Sequence, residues 1–234
     1  MNDIICTAQK RKAFDVRQVQ RKDCAEFILN IHYAKRFPSV SYAFGLFENN
    51  EMIGCITYGS PASPRVCDGI CGKEHAKKVL ELNRLVLKYN RPNEASFLIA
   101  KSLKLLPQPS IVLSYADTSQ DHVGYVYQAT NWIYLGLSEI RTDRIFIDGT
   151  KQKHGRHVIS TDIDNLKERT VLVQRPRKHR YLQIVSDKKT KQELLSFLKY
   201  DIVSEYPKGK KHKQSDNSAS KTFSIPIQEG LFND

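Results

Sequence analysis

Ile111-Val-Leu-Ser-Tyr-Ala-Asp117 is an apolar run that ends on a carboxylate, and His122-Val-Gly-Tyr-Val-Tyr127-Gln-Ala-Thr-Asn131-Trp132 follows it across a short polar gap. The β-branched start of the run, and Pro107 and Pro109 before it, predict a buried strand. Asp117 then stands at the strand's C-terminal edge, where ligands collect in open α/β sheets because the chain leaves the sheet there and backbone groups face a crevice. Val123, Val126, Tyr127 and Ala129 have near-helical spacing, so strand, turn and helix succeed one another. An acid, an imidazole and a phenol are thereby gathered at one sheet edge. A simpler role for Asp117, capping the helix that follows, fits the same residues.

Working outward, residues 13–18 read as a first strand, and Cys24, Phe27, Ile28 and Ile31 give helical spacing over 22–33. Residues 40–47 and 52–58 read as a hairpin around Glu48-Asn-Asn-Glu51. Residues 79–87 alternate as a central strand, interrupted by Glu81, Asn83 and Arg84. A helix is expected over 97–106, capped by Asn93 or Ser96, so that its free amides with Arg91 nearby offer an anion site. Strands over 133–137, 144–148 and 181–185 and a short helix over 191–199 complete the pattern. The fold class is therefore α/β (α+β), with a mixed central sheet flanked by helices. The expected divisions are a core at 1–170, a basic C-terminal extension at 171–207 packed on or beside it, and a flexible basic and polar tail at 208–234.

The chain has 234 residues, 40% hydrophobic and 26% charged, enough for a sizeable core. It contains no apolar run of membrane-spanning length, and a two-residue apolar run at Ile4-Ile5 is too short for a secretory signal, so a cytoplasmic location is expected. Five cysteines without framework spacing suit a reducing compartment. Cys67-Asp-Gly-Ile-Cys71 with His75 lacks the fourth ligand of a structural zinc site. The net charge of +12 is uneven: Lys and Arg stand at 19 against 15 acids in residues 1–150, at 17 against 7 in 151–213 and at 1 against 3 in 214–234. Such a local surplus suits a polyphosphate partner, with Arg175, Arg177, Lys178, Arg180, Lys208, Lys210 and Lys211 as contacts and Tyr181 available to stack on a base.

The element order resembles the GNAT acyltransferase superfamily, although Asn90-Arg-Pro-Asn-Glu-Ala-Ser96 stands where that superfamily carries a glycine-rich pyrophosphate loop. A more specific likeness lies in His32-Tyr-Ala-Lys-Arg-Phe-Pro-Ser39, Leu82-Asn-Arg-Leu85, Ser114-Tyr-Ala-Asp117, the 122–132 string, Phe146-Ile-Asp-Gly149 and Lys178-His-Arg-Tyr181. In this order they resemble the phage Mom family of DNA modification proteins, over roughly residues 25–208. The resemblance implies conversion of adenine N6 in double-stranded DNA to carbamoylmethyl adenine, which protects bacteriophage DNA from host restriction. It also implies an Fe(II) ion, an acetyl-CoA or other acyl donor, and the host cytoplasm; oligomeric state is left open, a dimer included.

The residues matching the family's functional positions are His32, Tyr33, Arg84, Ser102, Asp117 and Tyr127. An adenine N6 amine is a poor nucleophile, because its lone pair is delocalised into the ring; transfer to it needs a base and a polarised electrophile. Asp117 is the candidate base or metal carboxylate, Tyr127 a proton donor or orienting group, and Arg84 a holder of phosphate or carbonyl. His32, Tyr33 and Asp117 offer a hard nitrogen and oxygen set suited to Fe(II) or Mn(II), with His122 as alternative ligand or general acid. Adjacent His32 and Tyr33 can share an ion only if the helix ends there. Ser102, Arg91 and Ser96 are the candidate donor contacts. A paired N6 is best reached by base flipping, with Trp132 or a tyrosine to stack. The competing readings are an acetyl-CoA-dependent N-acyltransferase acting on a protein or small amine, and a non-catalytic DNA-binding module on the same fold.

Overall fold

The computed structural model describes residues 14–147 and 169–209. In chain order its strands are β1 (Phe14–Gln18), β2 (Tyr42–Glu48), β3 (Glu51–Gly59), β4 (Val79–Leu87), β5 (Ser110–Asp117), β6 (Ile133–Leu137), β7 (Arg141–Phe146), β8 (Thr170–Arg175) and β9 (Lys178–Val185). The helices are α1 (Pro64–Cys71), α2 (Glu94–Lys104), α3 (Tyr125–Ala129) and α4 (Lys188–Ser196). Seven strands form one sheet in the order β1-β2-β3-β4-β5-β9-β6, while β7 and β8 pair as a separate ribbon. The mixed central sheet flanked by helices is the architecture expected. None of the helices among the described residues is long and apolar enough to cross a membrane.

Alternation places a core on each face. Phe44, Leu46, Ile56, Tyr58 and Leu82 pack with Leu98, Ile99 and Leu103 of α2, whereas Ile111, Leu113, Leu182 and Ile184 pack with Ile70 of α1 and Leu194 of α4. The β2–β3 hairpin turns on Asn49 and Asn50, both at positive φ, a conformation asparagine tolerates better than most side chains. The expected helix over 22–33 is wound unevenly, as a 3₁₀ turn at Arg21–Cys24 and a π turn at Phe27–Ile31. Its apolar side is nevertheless buried, Cys24, Phe27 and Ile28 packing on Cys55 and Val86.

The basic extension differs from expectation. β9 lies between β5 and β6 and pairs with β5 along its whole length, so part of 171–207 is an interior strand of the sheet, not a layer laid upon it. The physical reason lies in Tyr181, Leu182 and Ile184, which fill the space on both faces. Lys210, Lys211 and the rest of the expected tail beyond Gly209 lie outside the described residues, as does Asp148.

Candidate active site

A cleft opens where two central strands part. β4 and β5 are parallel neighbours only over Val79–Glu81 and Ile111–Leu113; beyond this short ladder no further pairing holds them. Ser114 stands at the fork, its Oγ 3.0 Å from the Leu82 carbonyl and 2.7 Å from the Tyr127 hydroxyl. The single serine proton is divided between these two acceptors. Asn83 is the extra residue of a β-bulge: Thr57 faces Arg84 and Tyr58 faces Leu82 across the β3–β4 ladder. Bulges bend a strand and re-aim its side chains, which is why they recur beside active sites.

That bulge clamps the segment after the π turn. Asn83 Nδ2 donates to the Ser39 carbonyl at 2.7 Å, and its Oδ1 accepts from Thr57 Oγ1 at 2.6 Å. Arg84 Nη2 donates to the Arg36 carbonyl at 2.9 Å and Nη1 to the Asn83 carbonyl at 2.6 Å. Gly59 makes the approach possible, since a Cβ there would fall on the Ser39 carbonyl oxygen. Burial lowers the Arg84 pKa from the usual guanidinium range, and its Nε is buried with no hydrogen-bond partner.

The resulting cleft has a volume of about 380 Å³, within the range of roughly 300–1,000 Å³ usual for small-molecule sites. Its lining includes His32, Tyr33, Asn83, Arg84, Asn90, Arg91, Tyr115, His122, Tyr125 and Tyr127, and among the described residues no Asp or Glu. The chain turns extended at His32, so the helical turn does end where the adjacent pair begins. The His32 and Tyr33 rings stack at 4.4 Å, and Tyr33 meets His122 edge-on at 6.1 Å. His32 is 8% exposed; burial, then the charges of Arg84 and His122, lowers its pKa to about 4. Its Nδ1 accepts the Ala34 N–H at 3.0 Å, which leaves the ring proton on Nε2. Burial pushes the Tyr115 phenol up to about 12, keeping it protonated. Gly124, at φ +79, sets the loop over the Tyr181 ring; a Cβ there would lie 2.5 Å from a ring carbon.

The sequence-expected residues divide into those the cleft gathers and those it does not. His32, Tyr33, Arg84, Arg91, His122 and Tyr127 line it. Asp117 does not: its Oδ1 accepts the Ser119 N–H at 2.9 Å, its Oδ2 lies 3.3 Å from Lys178 Nζ, and its carbonyl accepts the His122 N–H. The capping role is the one seen, and it fixes the turn that carries His122. The expected iron set is therefore not assembled, because Asp117 is turned away and an Nδ1 that accepts from Ala34 leaves His32 Nε2 without a lone pair for a metal. Among the described residues no group of three His, Cys, Asp or Glu side chains is placed to hold an ion.

The donor contacts also need correction. Ser102 is fully buried, bonded to the Tyr58 hydroxyl at 2.7 Å and to the Ile99 carbonyl, as a serine inside an apolar helix usually is. Ser96 sits outside the cleft and bonds to the Asn93 carbonyl. Arg91 is held by Glu48 and Glu94, and the buried Glu94 carboxylate also accepts the Arg91 N–H, so the start of α2 already has its anion. Trp132 and Tyr181, expected to stack on a base, are wholly buried in the core.

The basic run is similarly engaged. Arg175 pairs with Asp143, Arg177 donates to the Ser138 carbonyl at 2.6 Å, and Lys178 faces Asp117. Arg180 is 9% exposed and stacks on Tyr200 at 4.1 Å, so it is a core residue and not a surface phosphate contact. Lys208 is exposed. Sequence reasoning missed Asn83, Asn90, Tyr115 and Tyr125; the polar interruption of the 79–87 run was the one signal that pointed to any of them.

A mixed α/β sheet forked at its centre, with a polar aromatic cleft in the fork, is the class of protein the geometry defines. The chain belongs to the Mom protein family, whose model matches residues 13–208. It is 31% identical over 114 residues to a methylcarbamoylase, Mom, of Escherichia phage Mu; that match covers 46% of this chain and 47% of the relative, about half of each. Among solved structures, a GNAT-family acetyltransferase of Bacillus cereus overlaps 75% of this chain and 99% of its own, at 13% identity and a TM-score of 0.41. NAA60 of Arabidopsis thaliana, solved with a bisubstrate analogue, overlaps 74% and 98%, at 13% identity and a TM-score of 0.45. At such identity and TM-score these likenesses do not bear on chemistry.

Proposed function

We propose that this protein is a DNA modification enzyme that converts the N6 of adenine to its carbamoylmethyl derivative, with double-stranded DNA as substrate and an acyl-type donor. The lining of the forked cleft is the observation that carries this reading. Four tyrosines, two histidines and Arg84, with no carboxylate among them, suit an extruded purine attached to an anionic backbone. Family membership and the name of the phage relative agree with it.

His122 takes the part first expected of Asp117. Its imidazole lines the cleft and can accept the N6 proton, histidine being the side chain most often used for such a transfer. Tyr33 holds the ring edge-on, and Asp117 positions it by fixing the 117–122 turn. Arg84 and His32 supply N–H donors that can hold the carbonyl oxygen of the transferred carbamoylmethyl group, the Arg84 Nε–H having no other partner. Tyr127, bonded at its hydroxyl to Ser114, orients the fork.

The test is nucleoside mass spectrometry of plasmid DNA co-expressed with the protein. Wild type is expected to yield a mass-shifted adenosine, and His122→Gln at least 100-fold less of it at an unchanged denaturation midpoint, the usual loss on removing a general base being about 10²–10⁴. Unmodified DNA from wild type, or full modification by the variant, refutes the reading.

A further inference from the structure

A second groove adjoins the cleft and shares one of its walls. The groove has its own lining of Tyr125, Gln128, Glu205, Tyr206 and Lys208, and Tyr125 also lines the cleft. The strap that forms its far side is fastened at four points. The Val203 N–H donates to the Tyr134 carbonyl at 2.9 Å, the Tyr206 hydroxyl to the Trp132 carbonyl at 2.7 Å, Gln128 Nε2 to the Pro207 carbonyl at 3.2 Å, and the Tyr125 hydroxyl to the Gly209 carbonyl at 2.9 Å. Each of the two tyrosines is tied by its hydroxyl, yet the residues stay 39% and 38% exposed. Rings held at one end with accessible sides, beside an exposed lysine, have the make-up of a stacking platform for single-stranded nucleic acid: every base has a π face, and the lysine meets the backbone phosphate. Glu205, also on this wall, can accept from an exocyclic amino group.

We propose that this groove holds the nucleotide next to the modified adenine, so that Tyr206 and Glu205 set the sequence context in which the enzyme works. The inference rests on the DNA reading above and adds a second subsite to it. An extruded nucleotide in the cleft brings its neighbour past Tyr125, which stands between the two spaces. Tyr206 contributes its ring to that neighbour, and Lys208 its charge to the phosphate.

Two measurements test it. In the first, DNA with randomised bases flanking adenine is modified in cells by wild type, Tyr206→Phe and Tyr206→Leu. The Phe variant keeps the ring and loses the bond to Trp132, so it should retain the wild-type preference; the Leu variant should lose about tenfold of the preference at one flanking position. A flat wild-type context profile, unchanged preference in the Leu variant, or equal loss in both variants overturns the subsite. The second measures binding to short single strands by fluorescence anisotropy, with an abasic residue on one side of adenine and then on the other. An abasic flank should weaken wild type about tenfold on one side and leave Tyr206→Leu nearly unchanged, the size expected of one lost base–aromatic stack. Equal weakening of both proteins, or of neither, overturns the proposal. If wild type leaves plasmid adenine unmodified yet shows the one-sided abasic effect, the groove stands and the enzymatic reading falls.

Discussion

His32 shows what burial does to an ordinary side chain. Its folded pKa of about 4 lies below the unfolded value near 6.5, so between those limits the folded chain binds fewer protons than the unfolded chain. Stability is therefore whole above pH 6.5 and declines as pH falls toward 4, by up to about 3 kcal/mol from this residue. Asparagine at this position keeps an acceptor for the Ala34 N–H and does not titrate. Urea midpoints at pH 7 and pH 5 should accordingly differ less for His32→Asn than for wild type. Ser114 is a second such case. Ser114→Ala leaves the Leu82 carbonyl and the Tyr127 hydroxyl without their partner at the fork, which should cost about 1–3 kcal/mol in denaturant unfolding at neutral pH. At the residue scale Asp117 was the case most open to misreading: an acid at a strand end serves equally as a base or as a cap, and only the positions of Ser119 and Lys178 distinguish the two.

Among elements, the bulged centre of β4 governs the site. Alternation in 79–87 announced a strand, and its polar interruptions marked where the strand departs from regularity. What those interruptions do was not legible, because Asn83 and Arg84 bond to carbonyls more than forty residues earlier, at Ser39 and Arg36. Gly59→Ala should drive Ser39 away from Asn83, at a cost of about 1–3 kcal/mol typical of overpacking. Limited trypsin digestion should then cut faster at Lys35 and Arg36, with β2 and β3 still protected. The start of α2 teaches the opposite lesson. A helix preceded by Arg91 resembles an anion site in sequence, but Glu94, the first residue of that helix, supplies the anion from within the chain.

Across the whole molecule, charge and topology decide the interface. The surplus of positive charge between residues 151 and 213 is real, yet in the Arg175-Pro-Arg-Lys-His-Arg180 run it is largely answered internally, by Asp143, Asp117, backbone carbonyls and the Tyr200 ring. Two substitutions should therefore separate. Lys208→Ala should lower the slope of log binding constant against log salt by about 1 with stability unchanged. Arg180→Ala should lower the thermal midpoint by several degrees and leave that slope alone, since a buried cation stacked on an aromatic contributes to packing. DNA retention on heparin and on a salt series, together with a melting curve, reads both.

The sequence alone determined most of the strands and helices, α1 and β8 excepted, together with the hairpin at Asn49-Asn50 and the strings that mark the family. These are local matters of side-chain period, turn chemistry and residue identity, and neighbours along the chain suffice to set them. Tertiary structure alone decided that β9 enters the sheet, that β4 and β5 part beyond a short ladder, that Ser102, Trp132 and Arg180 are interior, and that His122 rather than Asp117 faces the cleft. A side chain's role depends on which distant group answers its hydrogen bonds and charge, and that pairing exists only once the chain has folded.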